Sequence, residues 1–297
     1  MYQGFKIFTL PGNILAVIVA ILTLITNISD YGAPGVSSNL ELVKTDKVVA
    51  LDAMNVGQGI TTDGEYYYGS GTITAFGVAR ISKWTVDGFE LKDVNYSAIP
   101  SEYTKEHGTN HIGGISYYNG KIYAGVENKY DDYPLVMTFD AETLDFIKAF
   151  EMPIEYLPDG IPWVSVDGEN GYLYCSPFRN VDEILAFDLE TMQLDHTIKL
   201  SETITRIQGG EVYDGYLYLS YDVQNSNADR IIRVNISTGK VETFANRSLP
   251  SIAGNEAEGL TVYPMEDGSL IHVLDYDKTV GVYVHHYKVS ESYKTSE

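Results

Sequence analysis

The sequence contains very little cysteine and few basic residues. Cys175 is the one cysteine among 297 residues, so no disulfide can form within the chain. It lies in an aromatic run, Tyr172-Leu173-Tyr174-Cys175, and we interpret it as a small buried hydrophobic residue. Lysine and arginine total 20 against 41 aspartates and glutamates, which gives a net charge of −21 at pH 7. This charge disfavours nucleic acid and anionic lipid as partners of the folded chain, because their phosphates attract basic residues.

Several motifs of catalysis and metal binding are also missing. The sequence has no phosphate-binding glycine loop, no Gly-x-Ser-x-Gly, no His-Glu-x-x-His and no cysteine pair. The acidic stretches 127–132 and 275–277 lack the spacing of an EF-hand, so we interpret them as solvated loops. His285 and His286 are adjacent on a predicted strand, and their side chains therefore point to opposite faces and cannot chelate one metal together.

A hairpin unit that is repeated five times dominates the sequence. Its clearest copy, residues 208–220, has an apolar strand, an Asp-Gly turn and a second strand rich in tyrosine. Glycine at such a turn accepts the positive φ that a tight hairpin requires. The five turns are Asp63-Gly64, Asn119-Gly120, Asp167-Gly168, Asp214-Gly215 and Asp267-Gly268. Their spacing of roughly 45 to 55 residues is typical of propeller and array repeats.

Each unit continues into a third strand, a turn and a fourth strand. Third strands are predicted at 79–84, 135–139, 184–187 and 231–234, and an Asp or Asn that can bond the backbone ahead of it opens most of the following turns. Fourth strands follow, for example at 146–150 and 240–244. With no helical pattern after residue 30, the sequence predicts an all-β fold, a β-propeller over residues 41–290 with five four-stranded blades.

The fifth unit lacks a fourth strand, because the chain nearly ends after residues 281–289. A strand near the N-terminus, within 40–44 or 47–51, can complete this blade and remove the free edges of the ring. We therefore expect the last blade to combine both termini. Six blades are the alternative, if two units have been merged or the N-terminal strands form a separate sheet.

The ends of the chain differ from its body. Residues 1–30 carry one charge before Asp30, and the run from Ile14 to Ile28 is almost wholly apolar. It has the length of a signal-peptide core, but no good cleavage site follows, so we predict a signal peptide or one hydrophobic membrane-anchoring helix, favouring the anchor. Either places the propeller outside the cytoplasm, secreted or anchored. Residues 31–40 are predicted to be a linker and 291–297 a disordered tail.

The tandem units carry a family resemblance. Their aromatic inner strands and the turns Asp188-Leu189-Glu190-Thr191 and Ser237-Thr238-Gly239-Lys240 resemble those of extracytoplasmic β-propellers of the NHL, YncE-like and SMP-30/lactonase-like group. The resemblance covers about residues 41–290. It implies the fold, but a propeller serves many functions and the site must be argued from its own residues.

The residues that come just before each inner strand are the candidate site, since they should meet at one mouth of the central channel. In chain order they are Asn55, Gln58, Asn110, His111, Asp159, Arg206, Gln208, Asn255, Glu256 and Glu258. Carboxylate and amide oxygens are suitable ligands for Ca²⁺. The alternative is that these polar groups bond the inner-strand backbones of neighbouring blades and ordered water.

The lactonase-type resemblance implies a more specific site, with Ca²⁺ on the channel axis and a His or Asp as base. The positions that fit this implication are Asn255, Glu256 and Glu258 as metal ligands and His111 as catalytic base. A neutral histidine near a metal-bound water is a reasonable proton acceptor. Beyond Ca²⁺ we expect no cofactor.

These observations lead to three function classes. The first is a binding or interaction module with a polar channel-mouth site, whose partner is a small molecule, a glycan or a protein. The second is a divalent-cation-dependent hydrolase of lactonase or esterase type. The third is a glycan-binding or glycan-processing propeller, for which Trp84 and Trp163 would have to be exposed as sugar platforms; burial between blades is the alternative for both. We expect a monomer that meets a membrane only through its N-terminal segment.

Overall fold

The computed structural model of the protein describes residues 35–37, 39–47, 56–73, 78–222, 228–249, 255–277 and 281–294. These residues form five antiparallel sheets. The predicted hydrophobic helix within 1–30 lies outside the described residues, as does Asn55. In the part that is described, no helix is long and apolar enough to cross a membrane.

Each sheet is one blade of a β-propeller. Two strands near the N-terminus, β1 (Gly35–Val36) and β2 (Leu40–Lys47), precede the first complete blade. Blade one contains β3 (Val56–Thr62), β4 (Tyr66–Ile73), β5 (Val78–Thr85) and β6 (Leu91–Asn95). Blade two contains β7 (Thr109–Tyr118), β8 (Lys121–Asn128), β9 (Leu135–Asp140) and β10 (Phe146–Glu151). Blade three contains β11 (Val164–Asp167), β12 (Tyr172–Cys175), β13 (Val181–Asp188) and β14 (Leu194–Ile204). Blade four contains β15 (Ile207–Tyr213), β16 (Tyr216–Tyr221), β17 (Ala228–Asn235) and β18 (Val241–Ser248). Blade five contains β19 (Asn255–Val262), β20 (Ile271–Asp277), β21 (Gly281–Val289) and β2.

The prediction of five four-stranded blades closed by an N-terminal strand is confirmed. β2 pairs antiparallel with β21, with Leu40 opposite Val289 and Lys47 opposite Tyr283. The inner strands β3, β7, β11, β15 and β19 contact one another around a ring, and β19 contacts β3 to close it. The outermost strand of blade five thus comes from the other end of the propeller sequence, which ties the two ends together.

Three short elements differ from the predicted organisation. Gly35–Val36, within the predicted linker, forms β1 and pairs with Ser248 and Arg247 as a fifth strand on blade four. Residues Ser101–Glu106 form a helix, α1, after Pro100, although no helix was expected after residue 30; with six residues and none buried, it has no apolar period to detect. Glu291–Lys294, within the predicted disordered tail, form helix α2, where Tyr293 packs edge-on against Phe244 with ring centroids 5.4 Å apart.

Four of the five predicted turn glycines adopt positive φ, namely Gly64, Gly120, Gly215 and Gly268. In blade three the prediction is wrong, because Gly171, with φ of 78°, takes this conformation instead of Gly168. Asp214 and Gly215 both have positive φ, 48° and 75°, as a two-residue hairpin turn with two left-handed positions requires. Between the third and fourth strands, the Asp188 carboxylate accepts a hydrogen bond from the backbone N–H of Thr191. The turns leave the apolar strand faces to pack between blades, and Trp84 and Trp163 lie in this core with 2% and 0% exposure. The exposed sugar platforms required by the glycan hypothesis are therefore absent at both tryptophans.

Candidate functional site

A belt of glycines divides the central channel into two ends. A Cβ atom on Gly259 would lie 2.7 Å from the Cα of Gly59, and one on Gly209 would lie 2.7 Å from the Cα of Gly259. A Cβ on Gly114 would lie 2.9 Å from the carbonyl oxygen of Gln208. The inner strands therefore approach through their backbones at these glycines, where no side chain fits, and blade three has Trp163 at this level with its side chain packed in the core. Polar groups before the belt belong to one mouth, the strand-start mouth, and those after it belong to the other, the strand-end mouth.

Glu258, directly before Gly259, is the most unusual group of the strand-start mouth. It is 1% exposed, and no described residue donates a hydrogen bond to its Oε2 atom. Burial raises the pKa of this carboxyl well above its usual range, and the negative charges of Glu256, Asp222 and Asp275 raise it further. The amide of Gln58, at the equivalent position of blade one, acts in the opposite direction. Burial therefore favours the neutral acid, unless a positive charge compensates the carboxylate.

Two arginines lie near this mouth, and each is engaged with another carboxylate. Arg206 forms an ion pair with Asp222, with 2.9 Å between its Nε and Oδ2. Arg247 is fully buried and forms an ion pair with Asp275, which also lies 2.5 Å from Nδ1 of His285. Both carboxylates thus have their own counter-ion. Neither Arg206 nor Arg247 forms an ion pair with Glu258.

The structure brings some of the predicted site residues together and separates others. Gln58, Glu256 and Glu258 share the strand-start mouth, close to the pair of Arg206 and Asp222. Gln208 lies there half-buried, next to the belt. Asn255 is buried and donates from Nδ2 to the carbonyl of Leu249 at 3.1 Å.

Asn110 and Asp159 have other roles. Asn110 is exposed and lines a groove of about 240 Å³ beside α1. Asp159 accepts hydrogen bonds from the backbone N–H groups of Phe178, at 2.8 Å, and Arg179, at 3.0 Å. Asp159 therefore stabilises the loop after β12, and Asn110 faces away from the axis, so the two are not part of the mouth around Glu258.

His111 has the protonation state that a base needs. Burial lowers its pKa to about 4, so the imidazole is neutral at pH 7. On the sheet it is paired with Glu127 of β8, whose pKa burial raises to about 8. This side of the mouth is therefore a low-dielectric environment that disfavours charge.

The two adjacent histidines of β21 point apart, as predicted. His285 contacts Asp275, whereas His286 lies with its Nδ1 2.7 Å from Nδ1 of His272 and its Nε2 3.1 Å from Asp46. More generally, within the described ranges no three His, Cys, Asp or Glu side chains are grouped to hold a metal ion.

A second set of axial residues lies beyond the glycine belt and was missed by the sequence analysis. Side chains alternate along a strand, so the residue two positions after each belt glycine, and after Trp163 in blade three, faces the same way. These residues are Thr61, Ser116, Ser165, Glu211 and Thr261. The alternation could have revealed them, because blades one, two and five repeat a Gly-apolar-polar pattern, with Trp163-Val164-Ser165 and Gly209-Gly210-Glu211 at the same places in blades three and four. We call them the axial tier.

Glu211 is the one carboxyl of the axial tier, and three of the other four residues donate hydrogen bonds to it. Its Oε1 accepts hydrogen bonds from Ser116 at 3.0 Å and Ser165 at 3.3 Å, and its Oε2 accepts one from Thr261 at 3.2 Å. Burial raises the pKa of Glu211 to about 8, although these three donors favour the ionised form. The carboxyl is thus mostly protonated at neutral pH and loses its proton as the pH rises through about 8.

The strand-end mouth opens into a cavity of about 970 Å³ whose lining includes Glu211. Two positions further along the inner strands lie Asp63, Tyr118, Asp167, Tyr213 and Tyr263, which form the wall and which we call the rim tier. The ring of Tyr118 lies on Gly168 of the next blade, and its hydroxyl donates to the Gly168 carbonyl at 3.2 Å. The aromatic walls are therefore fixed by contacts between blades.

Comparison with known proteins gives similarity at the level of the repeat and the fold. A family model described as a repeat of unknown function, DUF6923, matches residues 159–257. A comparison with curated protein sequences finds no match. A luciferin-regenerating enzyme is 12% identical over 86% of this chain and 95% of its own, with a TM-score of 0.48. The WD40 β-propeller domain of Doa1 is 12% identical over 86% of this chain and 99% of its own, with a TM-score of 0.44.

The hydrazine synthase of Kuenenia stuttgartiensis is 16% identical over 74% of this chain, with a TM-score of 0.41. The chain spans 55% of the length of that protein. We draw no functional conclusion from similarities at this level. Membership of the narrower NHL, YncE-like and SMP-30/lactonase-like group stays a prediction from the sequence.

Proposed function

We propose that the protein is an extracytoplasmic binding module, in which a β-propeller holds a ligand at its strand-start mouth. The observation that supports this most directly is the buried carboxyl of Glu258, with an oxygen to which no described residue donates a hydrogen bond. Leaving a buried polar atom without a partner costs about 1–3 kcal/mol. A bound ligand that supplies a charge or a donor removes this cost.

The ligand class that fits is a cation, and Ca²⁺ is our specific proposal. The arginines nearest the mouth are engaged with Asp222 and Asp275, so the compensating charge for Glu258 has to come from elsewhere. Carboxylate oxygens of Glu256 and Glu258 and amide oxygens of Gln58 and Asn255 are hard ligands of the kind that Ca²⁺ prefers. Calcium would also favour the carboxylate form of Glu258 over the neutral acid.

Thermal unfolding of the full chain with millimolar Ca²⁺ and with chelator tests this proposal. A cation that binds the folded ring and not the unfolded chain raises the Tm by mass action. We expect Ca²⁺ to raise the Tm of the wild type and to leave the Tm of Glu258→Gln unchanged, since the amide keeps the shape but not the charge. Glu183→Gln, the same change at an exposed position of β13, is the matched control and should keep the full shift.

Two results would contradict the proposal. Equal Tm values of the wild type with Ca²⁺ and with chelator would exclude a calcium site. A shift that survives Glu258→Gln would place the ion away from this mouth, in an acidic stretch such as 127–132.

A cation-dependent hydrolase of lactonase or esterase type is the second candidate, because the imidazole of His111 is neutral. The hydrolase would replace the binding proposal on two results. The calcium-loaded wild type would have to cleave a lactone, and His111→Gln would have to bind calcium without cleaving the lactone. The glycan alternative loses its specific support, because Trp84 and Trp163 are buried between blades. The extracytoplasmic part of the proposal rests on the apolar run from Ile14 to Ile28.

A further inference from the structure

The cavity of the strand-end mouth combines a buried carboxyl, further acidic groups and aromatic walls. Glu211 contributes to its lining from the axial tier. Its wall and rim add four more acidic residues, and no described lining residue is Lys, Arg or His. The four are Asp63, Asp167, Glu169 and Asp214. A pocket of this composition repels anions and attracts cations.

Glu211 is oriented to accept charge from a ligand. The Ser116 hydroxyl accepts a hydrogen bond from the backbone N–H of Val166 at 3.0 Å, and the Ser165 hydroxyl accepts one from Val212 at 2.9 Å. Each hydroxyl therefore directs its own proton to the Glu211 carboxyl. The donors support a carboxylate, and burial alone opposes it. A cation bound next to Glu211 supplies the charge that is missing.

The tyrosines select among cations. Tyr118 and Tyr263 are both 37% exposed, and both lie against a glycine of the next blade, Gly168 and Gly64 respectively. Tyrosine faces attract organic cations through their π-electrons and also cover an apolar ligand body. A small inorganic ion would leave these surfaces unused. A volume of about 970 Å³ is that of a site for a small organic molecule.

We propose that this cavity binds an organic ammonium compound, with the cation next to Glu211 and the carbon body against the rim-tier tyrosines. The site is at the opposite end of the channel from the proposed calcium site and is independent of it. The shared chemistry is an alkylammonium group, whether it belongs to a free amine or to a lysine side chain of a peptide.

Isothermal titration calorimetry of the full chain with three probes of one shape tests the proposal. Benzylamine, benzyl alcohol and benzoate present the same ring with a positive, neutral and negative group. We expect benzylamine to bind at least about tenfold more tightly than benzyl alcohol, and benzoate not to bind, because the lining is acidic. A lysine amide and a short lysine-containing peptide form a second arm, which separates the free amine from the peptide source.

Variants locate the two parts of the ligand. Glu211→Gln should reduce the benzylamine affinity to that of benzyl alcohol, whereas the exposed control Glu183→Gln should not change it. Tyr118→Leu should weaken benzylamine binding, and Tyr118→Phe should keep it, because phenylalanine retains the π-face. The variants Tyr118→Leu and Tyr118→Phe also test the site if Glu211→Gln fails to fold.

Several outcomes would overturn the inference. Equal affinities of benzylamine and benzyl alcohol would exclude an ammonium site, and so would the absence of binding of all three probes at millimolar concentration. Unchanged benzylamine binding in folded Glu211→Gln would exclude the placement of the cation next to Glu211. Equal effects of Tyr118→Leu and Tyr118→Phe would exclude the contact with the π-face of Tyr118.

Discussion

At the scale of single residues, two buried carboxyls occupy opposite sides of the glycine belt and differ in their partners. Glu211 accepts three hydroxyl hydrogen bonds, whereas Glu258 has an oxygen without a described donor. Burial raises the pKa of both. Glu211 therefore has hydrogen-bond donors but no compensating charge, whereas Glu258 also has an oxygen without a donor.

We predict that Glu211 makes the protein less stable as the pH rises towards 8. Its pKa is about 8 in the folded protein against 4.5 for an ordinary glutamate, so between these values the folded protein holds a proton that the unfolded chain releases. The free energy of unfolding then falls across this window, by up to about 5 kcal/mol in total for such a difference in pKa. The groups that face Glu211 are the hydroxyls of Ser116, Ser165 and Thr261, which carry no charge in this range.

Denaturant unfolding of the wild type and Glu211→Gln at several pH values between 5 and 9 measures this effect. Glu258 contributes a slope of the same sign, so the prediction concerns the difference between the two curves. That difference should shrink or change sign as the pH rises from about 5 to about 8 and then level off. Parallel curves over the whole range would show that Glu211 does not titrate as described.

At the scale of elements, each of the two N-terminal strands pairs with the edge strand of a blade formed by later residues. β2 covers β21 of blade five, and β1 extends blade four beyond β18. Leu40 of β2 is 3% exposed and packs in the core between blades four and five. His286 of β21 has its Nε2 3.1 Å from Asp46 of β2. β2 is thus part of the core, and β1 is an addition of two residues.

Truncation should distinguish these two contributions. Removal of residues 1–38 deletes β1 alone and should lower the Tm by a few degrees at most. Removal of residues 1–48 also deletes β2, exposes the edge of β21 and the apolar face beneath it, and should cost several kcal/mol or prevent folding.

Thermal unfolding followed by circular dichroism measures both truncations, with removal of residues 1–33 as the control that keeps β1 and β2. Similar Tm values for the truncations at 38 and 48 would show that β2 is dispensable and that blade five is stable with three strands.

At the scale of the whole molecule, five blades leave a channel too narrow for side chains at the glycine belt. A ligand at one mouth is therefore separated by backbone from a ligand at the other, and the two proposed sites can be tested independently. The net charge of −21 surrounds both mouths with a field that favours cations.

The location of the molecule is a prediction from the sequence. The apolar run Ile14–Ile28, with one preceding lysine and no clear cleavage site, should carry the propeller across a membrane. We expect the full-length protein in the membrane fraction, with residues 41–297 accessible to added protease from outside the cell. A variant without residues 1–30 should stay in the cytoplasm. An intact cytoplasmic pool of the full-length protein would contradict the prediction.

Much of the fold is determined by the sequence, because it depends on local patterns. Hairpin turns such as Asp214-Gly215 require residues that accept positive φ, and their regular recurrence sets the number of blades. The incomplete fifth unit predicts ring closure, since an unpaired edge is unfavourable. The helix α1 could not be predicted, because it has six residues, none of them buried, and so shows no apolar period.

Only the tertiary structure decided which polar residues share the channel. The inner strands contain register shifts near the strand-start mouth, between Thr109 and His111 in β7 and between Ala257 and Leu260 in β19. A shift of one residue turns a side chain to the other face of its sheet, so alternation read from the sequence fails there, and Asn110 faces away from the axis. Beyond the belt the alternation is undisturbed from Gly209 to Glu211, but the carboxyl acquires its three hydroxyl partners from other blades. Contacts between strands that are distant in sequence depend on how the blades pack in the ring, so a local sequence pattern cannot predict them.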